Sequence, residues 1–224
     1  MAEIIVRKLT NPSEAEIERA ATVLKWAFLN PPEPFFDSLT GGNRELDILI
    51  HRAHVRAGLI DGEVWVAGYE PTDICAVAIW FGPGTDIFAT EEQQAAAGWD
   101  QFQSKLTPEL RKWRSEYFLP RYHEWIASCI GEDTSMKAWH LDLLGTDPTH
   151  RRKGLSSALI RAVETKAGEE SITMVLETTN DLNVAYYRKL GFIVRGAVSI
   201  VGSGGETTVT SLTKPSLGPS IGHS

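Results

Sequence analysis

The sequence predicts one domain of the α/β class, and three observations favour this class. Short β-branched or apolar runs alternate with segments in which apolar residues recur at helical spacing. Part of the C-terminal half has the order strand, turn, helix, strand, which is typical of mixed sheets with helices packed on them. The chain has 224 residues, 42% of them hydrophobic, which is enough for one sizeable core. We therefore expect a single domain over 1–214 and a disordered tail at 215–224.

The N-terminal half is predicted to begin with a strand and a helix. A β-branched run at 4–9 forms the strand, and Ser13 follows the break at Asn11-Pro12 as the N-cap of a helix over 15–29. Pro31-Pro32 ends this helix. The other predicted elements of this half are an apolar loop at 34–36, a helix at 44–57 and strands at 64–69 and 74–81.

The second half is predicted to contain an insertion before the sheet resumes. The segment 90–130 is rich in Gln, Trp and charged residues, and we expect two helices divided near Thr107-Pro108. The elements after it are a strand at 137–144, a helix at 153–166, a strand at 172–177 and a helix at 182–189 that ends at Gly191. Two final strands flank the hairpin signal Gly202-Ser203-Gly204-Gly205.

Composition excludes several classes of function. The net charge of -7 argues against general affinity for nucleic acid or for anionic membranes, because phosphate binding needs a basic surface. No apolar stretch reaches the ~18 residues of a membrane helix, and no secretory signal is evident, so we expect a cytoplasmic location. Cys75 and Cys129 have no metal-ligand spacing, so no metal is expected.

The strongest chemical signal is the basic turn 150–157, which follows an apolar strand and opens a helix. Three consecutive cations begin at Arg151, and Gly154 and Ser156 would allow an anion close to the backbone. The first N–H groups of a helix have no intrahelical partners and attract phosphates. A solvated basic turn is the alternative, and the pattern matches neither a nucleotide P-loop nor a dinucleotide fingerprint.

Two patterns together identify a family resemblance. Arg151, Gly154 and Ser156 are in register with the acyl-CoA motif of the GNAT superfamily, which is Arg or Gln, two residues, Gly, one residue, then Gly or Ala; here the last place is Ser. The segment from Asn180 to Phe192, with Tyr187 and Gly191, resembles the second signature of that superfamily. The chain therefore resembles a small-molecule GNAT acyl-CoA N-acyltransferase, most clearly over 137–212.

This resemblance implies a fold, a cofactor and a set of binding residues. The GNAT fold has a mixed central sheet of about six to seven strands flanked by helices, here with the helical insertion 90–130 before the coenzyme-binding strand. The implied cofactor is acetyl-CoA. The residues implied to bind it are Leu144, Gly145, Thr146, Arg151, Arg152, Lys153, Gly154, Leu155, Ser156, Ser157, Asn180 and Tyr187. A helix cap is the alternative role for Asn180.

The candidate catalytic residues are Tyr187, His140 and Asp142. Tyr187 matches the general acid of the superfamily, which protonates or hydrogen-bonds the departing thiolate. Strand alternation places His140, Asp142, Leu144 and Thr146 on one face, so two ionisable groups lie together. His140, with an ordinary pKa near ~6.5, could act as the base, and Asp142 could orient it or act as the base itself. A structural histidine is the alternative.

The acceptor is expected to be a primary amine of a small molecule. Phe35, Phe36 and Trp80 suggest a compact apolar pocket, although such aromatics can equally well serve packing. Glu33 is one of several acidic residues that could attract a cationic amine. Two other functions stay open: a protein or peptide N-acetyltransferase, and a non-catalytic acyl-CoA-binding regulator. The last two strands offer an edge for pairing, but nothing selects a homodimer over a monomer.

Overall fold

A seven-stranded sheet forms the centre of the computed structural model, which describes residues 3–131, 134 and 136–216. The strand order is β1-β2-β3-β4-β5-β7-β6, and only the β4–β5 pair is parallel. The strands are β1 (Ile5–Lys8), β2 (Glu63–Gly68), β3 (Ala76–Phe81), β4 (Trp139–Thr146), β5 (Met174–Thr178), β6 (Ile193–Gly202) and β7 (Gly205–Lys214). The predicted α/β fold with a mixed sheet is confirmed.

Helices cover both faces of this sheet and create two separate cores. The helices before β4 are α1 (Glu14–Leu29), α2 (Pro34–Thr40), α3 (Leu46–Asp61), α4 (Glu91–Ala97), α5 (Trp99–Ser104), α6 (Pro108–Trp113) and α7 (Leu119–Ile130). Their apolar side chains pack in one cluster. The second cluster, on the opposite face, is built on α8 (Leu155–Glu170) and α9 (Asp181–Lys189). No helix in the described ranges is long and apolar enough to cross a membrane.

Local sequence signals explain how the first helices begin. The Ser13 hydroxyl accepts the Glu16 N–H at 3.3 Å, and the Glu16 carboxylate accepts the Ser13 N–H at 3.0 Å, which is a capping box. The prediction of a loop at 34–36 is wrong, because Pro34 is the first residue of α2. Proline fits this position since a first-turn N–H has no intrahelical acceptor to lose. Phe35 and Phe36 therefore lie in the first turn of a helix.

The insertion forms a continuous layer of helices between β3 and β4. The predicted division near Thr107-Pro108 is present, and the threonine hydroxyl caps α6 there by accepting the Leu110 N–H at 3.2 Å. The prediction of two helices is wrong, because the described part of the insertion contains four α-helices, α4 to α7. A π-helical turn over Arg114–Phe118 then joins α6 directly to α7. Such turns are rare and occur often at functional sites, because the extra residue re-aims the side chains around it.

The parallel β4–β5 pair separates after three residues. Pairing runs from Trp139 opposite Met174 to Leu141 opposite Leu176 and then stops. Beyond this point the backbone of 142–146 keeps β3 on one side and has no strand partner on the other. The two strands therefore leave a gap in the middle of the sheet.

A bulge in β4 changes the predicted alternation of its side chains. Opposite β3, Trp80 pairs with Leu141 and Ile79 with Leu143, so Asp142 is an extra residue. Leu143 consequently joins the α1 side of the sheet, whereas Leu144 packs on the α8 side. The prediction that His140, Asp142, Leu144 and Thr146 share one face is wrong beyond the bulge.

Two turns in the C-terminal part lie where the sequence predicts them. Gly191, at φ 89°, follows α9, and the β6–β7 hairpin turns at Ser203-Gly204. This positive φ favours glycine, since other residues are strained there. Most of the tail that was expected to be disordered, residues 217–224, lies outside the described residues.

Candidate active site

A cavity of about 470 Å³ occupies the gap between β4 and β5 and opens toward both faces of the sheet. Phe28 and Phe36 reach it from the α1 side, and Tyr187 reaches it from the α9 side. His140 and Asp142 lie where the strands separate. All three predicted catalytic residues therefore line one cavity.

The most polar part of the cavity is a buried network centred on Glu177. His140 Nε2 lies 2.7 Å from Glu177 Oε2, and the Tyr122 hydroxyl donates to the same oxygen at 3.0 Å. Burial acts to lower the pKa of His140, but the charge and hydrogen bond of Glu177 outweigh it and raise the pKa to about 9. His140 is therefore protonated at neutral pH, so its expected pKa near ~6.5 is corrected and it pairs with Glu177 as a cation.

The carboxyl group of Asp142 is buried and therefore holds a proton more strongly than an ordinary surface carboxylate does. Its Oδ2 atom is shielded from solvent and has no hydrogen-bond partner in the described part of the chain. Burial raises its pKa to about 7, against the attraction of His140. A carboxyl group that titrates near neutrality can accept a proton and release it again, as a general base must.

Tyr187 approaches the cavity from the opposite side of the gap. Its ring contacts Tyr186 and Phe192 at centroid distances of 5.2 and 5.7 Å. Burial, helped by Tyr186 and Glu33, raises the pKa of its phenol above the usual value. The hydroxyl consequently stays protonated and is available as a hydrogen-bond donor at any physiological pH.

Aromatic residues form the wall on the acceptor side. Phe35 and Phe36 from α2 line the cavity, as do Phe88 from the β3–α4 connection and Trp99 and Phe118 from the insertion. Trp80 does not line it: this side chain is fully buried on the opposite face of β3, in the α8 cluster. Because β3 is buried on both faces, an aromatic residue there gives no sign of which face it joins, so we do not retain Trp80 as a substrate-binding residue.

The basic turn before α8 has three cations with three different surroundings. Arg151 donates to the carbonyl groups of Ala27 and Asn30, so its guanidinium closes the end of α1. Lys153 donates to the Thr149 carbonyl at 3.1 Å. Arg152, at φ 59°, is exposed and has no hydrogen bond or ion pair among the described residues. Arg152 is thus the cation of this turn that is free to meet a phosphate.

The polar residues next to this turn are already paired. Ser156 Oγ lies 2.6 Å from Thr146 Oγ1, so the serine in the last motif position is held against the end of β4. Ser157 Oγ lies 3.1 Å from the Tyr186 hydroxyl. Asn180 caps α9 by accepting the Asn183 N–H at 2.8 Å and donates to Glu33 at 3.0 Å. Asn180 is therefore a helix cap in this structure, and its role in coenzyme binding stays a prediction.

Comparisons with known proteins agree with this geometry. A model of the acetyltransferase (GNAT) family matches residues 85–192. An uncharacterized N-acetyltransferase from Schizosaccharomyces pombe is 23% identical over 190 residues, which cover 82% of this chain and 73% of that protein. Together with the fold, the family match and this relative support a GNAT superfamily acyl-CoA-dependent N-acyltransferase.

Solved structures show the same GNAT fold over almost the whole chain. One is described as histone acetyltransferase HPA2 and related acetyltransferase from Corynebacterium glutamicum; it has a TM-score of 0.62 and 20% identity, covering 97% of this chain and 99% of its own. Another, polyamine N-acetyltransferase from Drosophila melanogaster, has a TM-score of 0.57 and 17% identity, covering 95% and 100%. Their named acceptors include a protein and small molecules, so fold alone leaves the acceptor class open.

The GNAT site also contains residues that sequence reasoning did not select. Glu177, Asp86 and Arg114 line the cavity beside the predicted residues. Glu177 lies near the end of β5, which pairs with the strand β4 that carries His140. Only this predicted neighbourhood of the two strands could have indicated that Glu177 lies near His140. Asp86 and Arg114 belong to connecting segments without a motif, so their positions depend on packing.

Proposed function

We propose that this GNAT enzyme transfers an acetyl group from acetyl-CoA to a primary amine of a small molecule, by direct attack in a ternary complex. The observation that carries the proposal is the cavity through the β4–β5 gap. It brings the unpartnered carboxyl oxygen of Asp142 and the Tyr187 side chain to one space from opposite faces of the sheet. An amine and a thioester could meet there while bulk water is excluded.

The residues around the gap fit acetyl-CoA. The backbone of Leu144, Gly145 and Thr146 lacks a strand partner on the β5 side, so the amide groups of a pantetheine arm can add there like a further strand. The first turn of α8 and the free side chain of Arg152 suit the pyrophosphate. Acetyl-CoA supplies an acetyl thioester, whose carbon forms the new bond to nitrogen as the carbon–sulfur bond breaks.

Two side chains handle the charge in this reaction. Asp142 accepts a proton from the amine, which must lose its protons to attack and to form an amide. Tyr187 donates its phenolic hydrogen bond, or its proton, to the sulfur that leaves. His140 remains a cation paired with Glu177 and lowers the cost of the negative charge on Asp142. His140 is thus assigned a positioning role rather than the role of base.

The form of the acceptor side favours a small molecule over a protein. Trp99 and Phe118 of the insertion 90–130, with Phe88 just before it, line the cavity and make this side an aromatic pocket instead of an open groove. A folded protein could not bring a lysine and its backbone through this layer unless the insertion moved. The buried base and phenol also argue for catalysis over passive acyl-CoA binding, which needs neither group.

The direct test is release of coenzyme A from acetyl-CoA with a panel of small amines, amino acids, polyamines and lysine peptides. We expect turnover with small amines and none above background with peptides. Turnover with peptides alone would overturn the small-molecule assignment, and acetyl-CoA binding without turnover on any acceptor would support a regulator instead.

A further inference from the structure

Arg114 is a cation at the aromatic end of the cavity. It is the first residue of the π-helical turn that joins α6 to α7, and it lines the cavity together with Phe118 from the same turn. Its guanidinium carbon lies 4.6 Å from the ring centre of Trp99, whose ring in turn stacks on Phe88 at 3.9 Å. One face of the guanidinium is therefore covered, and its hydrogen-bonding edge is left available.

This edge has no hydrogen-bond or ion-pair partner among the residues that the structure describes. Arg114 Nη1 is shielded from solvent without a hydrogen bond, and no described carboxylate lies within ion-pair distance of the guanidinium. Burial alone lowers the pKa of Arg114, to about 10, so the group is still a cation at neutral pH. Arg114 is half-buried, and a cation shielded from solvent without an anion is costly, so such a group is usually paired or binds a ligand.

The opposite charge is concentrated elsewhere in the same cavity. Asp86, Asp142 and Glu177 all line it, and Asp86 and Glu177 both act on the pKa values of His140 and Asp142. None of these carboxylates acts on the pKa of Arg114. The cavity thus contains a carboxylate cluster at the β4–β5 gap and, at the π-helical turn, a cation with its aromatic neighbours.

We propose that Arg114 binds a carboxylate of the acceptor, so that the acceptor is an amino acid whose amine and carboxylate are separated by an apolar or aromatic spacer. The inference rests on the proposed function for the position of the amine, at Asp142. The planar fork of an arginine matches a carboxylate with two parallel hydrogen bonds. The aromatic side chains that line the cavity suit a flat or extended apolar spacer between the amine and the carboxylate.

The kinetic test compares acceptors that differ only in the carboxylate. The pairs are 4-(aminomethyl)benzoate with benzylamine, and 5-aminopentanoate with pentylamine. The variant is Arg114→Met, which keeps the length of the side chain without the charge. The control is Arg121→Met, because Arg121 also lies over an aromatic ring, that of Tyr117, but is exposed and donates to the Ser199 carbonyl at 3.1 Å.

We expect the wild type to prefer the carboxylate member of a pair in kcat/KM. Arg114→Met should lower kcat/KM for that member by about tenfold to hundredfold, mainly through KM, since a hydrogen-bonded charge is lost. The uncharged member and the Arg121→Met enzyme should be unaffected. Equal losses for both members of a pair would show that Arg114 has only a structural role and would overturn the proposal.

A binding measurement separates this inference from the proposed function. Calorimetric titration of benzoate or pentanoate into the coenzyme A complex needs no acetyl transfer. We expect affinity in the wild type that falls about tenfold or more in Arg114→Met. If this loss is observed without turnover on any amine, the anion site stands and the acetyltransferase proposal fails. If neither carboxylate binds the wild type more tightly than the variant, the anion site is wrong.

Discussion

The two sides of the β4–β5 gap are built in different ways. On the coenzyme side, the candidate groups come mainly from one local unit: the end of β4, the turn at 150–154 and the first turn of α8. On the acceptor side, side chains from α2, the β3–α4 connection, the insertion, β4 and β5 meet in one cavity. Backbone groups dominate the first side, and aromatic and ionisable side chains dominate the second.

This difference explains why one side can be recognised in a sequence and the other cannot. A turn that offers backbone N–H groups needs glycine and small residues at fixed spacing, so it leaves a motif. A pocket wall can be built from any large side chain that the fold brings near. Its only trace in the sequence is therefore a content of large side chains, without a fixed spacing. If the comparison is correct, changes to the ionisable side chains that meet at the gap should alter turnover, and changes to the basic turn before α8 should alter coenzyme affinity.

The largest expected effect is that of Asp142→Asn. The amide cannot accept the proton, so kcat should fall about 10²- to 10³-fold, in the range for loss of a general base. The wild-type rate should increase as pH rises through about 7, where Asp142 ionises. The pH profile of the variant should lack this rising limb. Initial rates across pH test both. Asp100→Asn, on the exposed side of α5, is the matched control, and a retained limb would exclude Asp142 as the base.

A second test concerns the His140–Glu177 pair and measures stability. Folding raises the pKa of His140 from 6.5 to about 9, so its contribution to the free energy of unfolding is fully present below pH 6.5 and is lost as pH rises toward 9. The loss is on the order of 3 kcal/mol at most. Denaturant unfolding at several pH values should show a smaller decline for His140→Gln. Parallel pH profiles for the variant and the wild type would contradict the pairing.

At the gap itself, where Tyr187 lines the cavity with Asp142, Tyr187→Phe should reduce kcat by about tenfold to hundredfold, because one hydrogen bond to the sulfur is lost. Acetyl-CoA affinity should be nearly unchanged. Tyr186→Phe is the control, since the neighbouring hydroxyl bonds Ser157 and does not line the cavity. Equal losses in the two variants would mean that helix packing, rather than the Tyr187 hydroxyl, is responsible.

The smallest effect is expected for Arg152→Gln. Removing one exposed cation beside a pyrophosphate should raise the Kd for acetyl-CoA by about three- to tenfold and leave kcat at saturation unchanged. Calorimetric titration measures this change, with Arg161→Gln, further along α8, as the control. An effect on kcat without one on Kd would break the proposed division between the two sides.

Sequence reasoning reached most of the fold and part of the candidate site. The strands, the N-cap at Ser13 and the break at Thr107 were predicted because each depends on neighbours in the chain. The helix at Pro34 was missed, since a proline and two phenylalanines also read as a loop. Trp80 was misplaced and Arg114 overlooked, because only packing decides which face or cavity such side chains meet. The roles of Tyr187, His140 and Asp142 remain predictions.

The sequence by itself predicted the α/β class, the resemblance to the GNAT superfamily and the position of the basic turn, because these depend on periodicity and on motifs that are local in the chain. The tertiary structure decided the rest. The separation of β4 from β5 and the bulge at Asp142 create the cavity, and Glu177 then changes the protonation of His140. The proton affinity of a buried group depends on the charges that folding brings beside it, and those charges are far away along the chain.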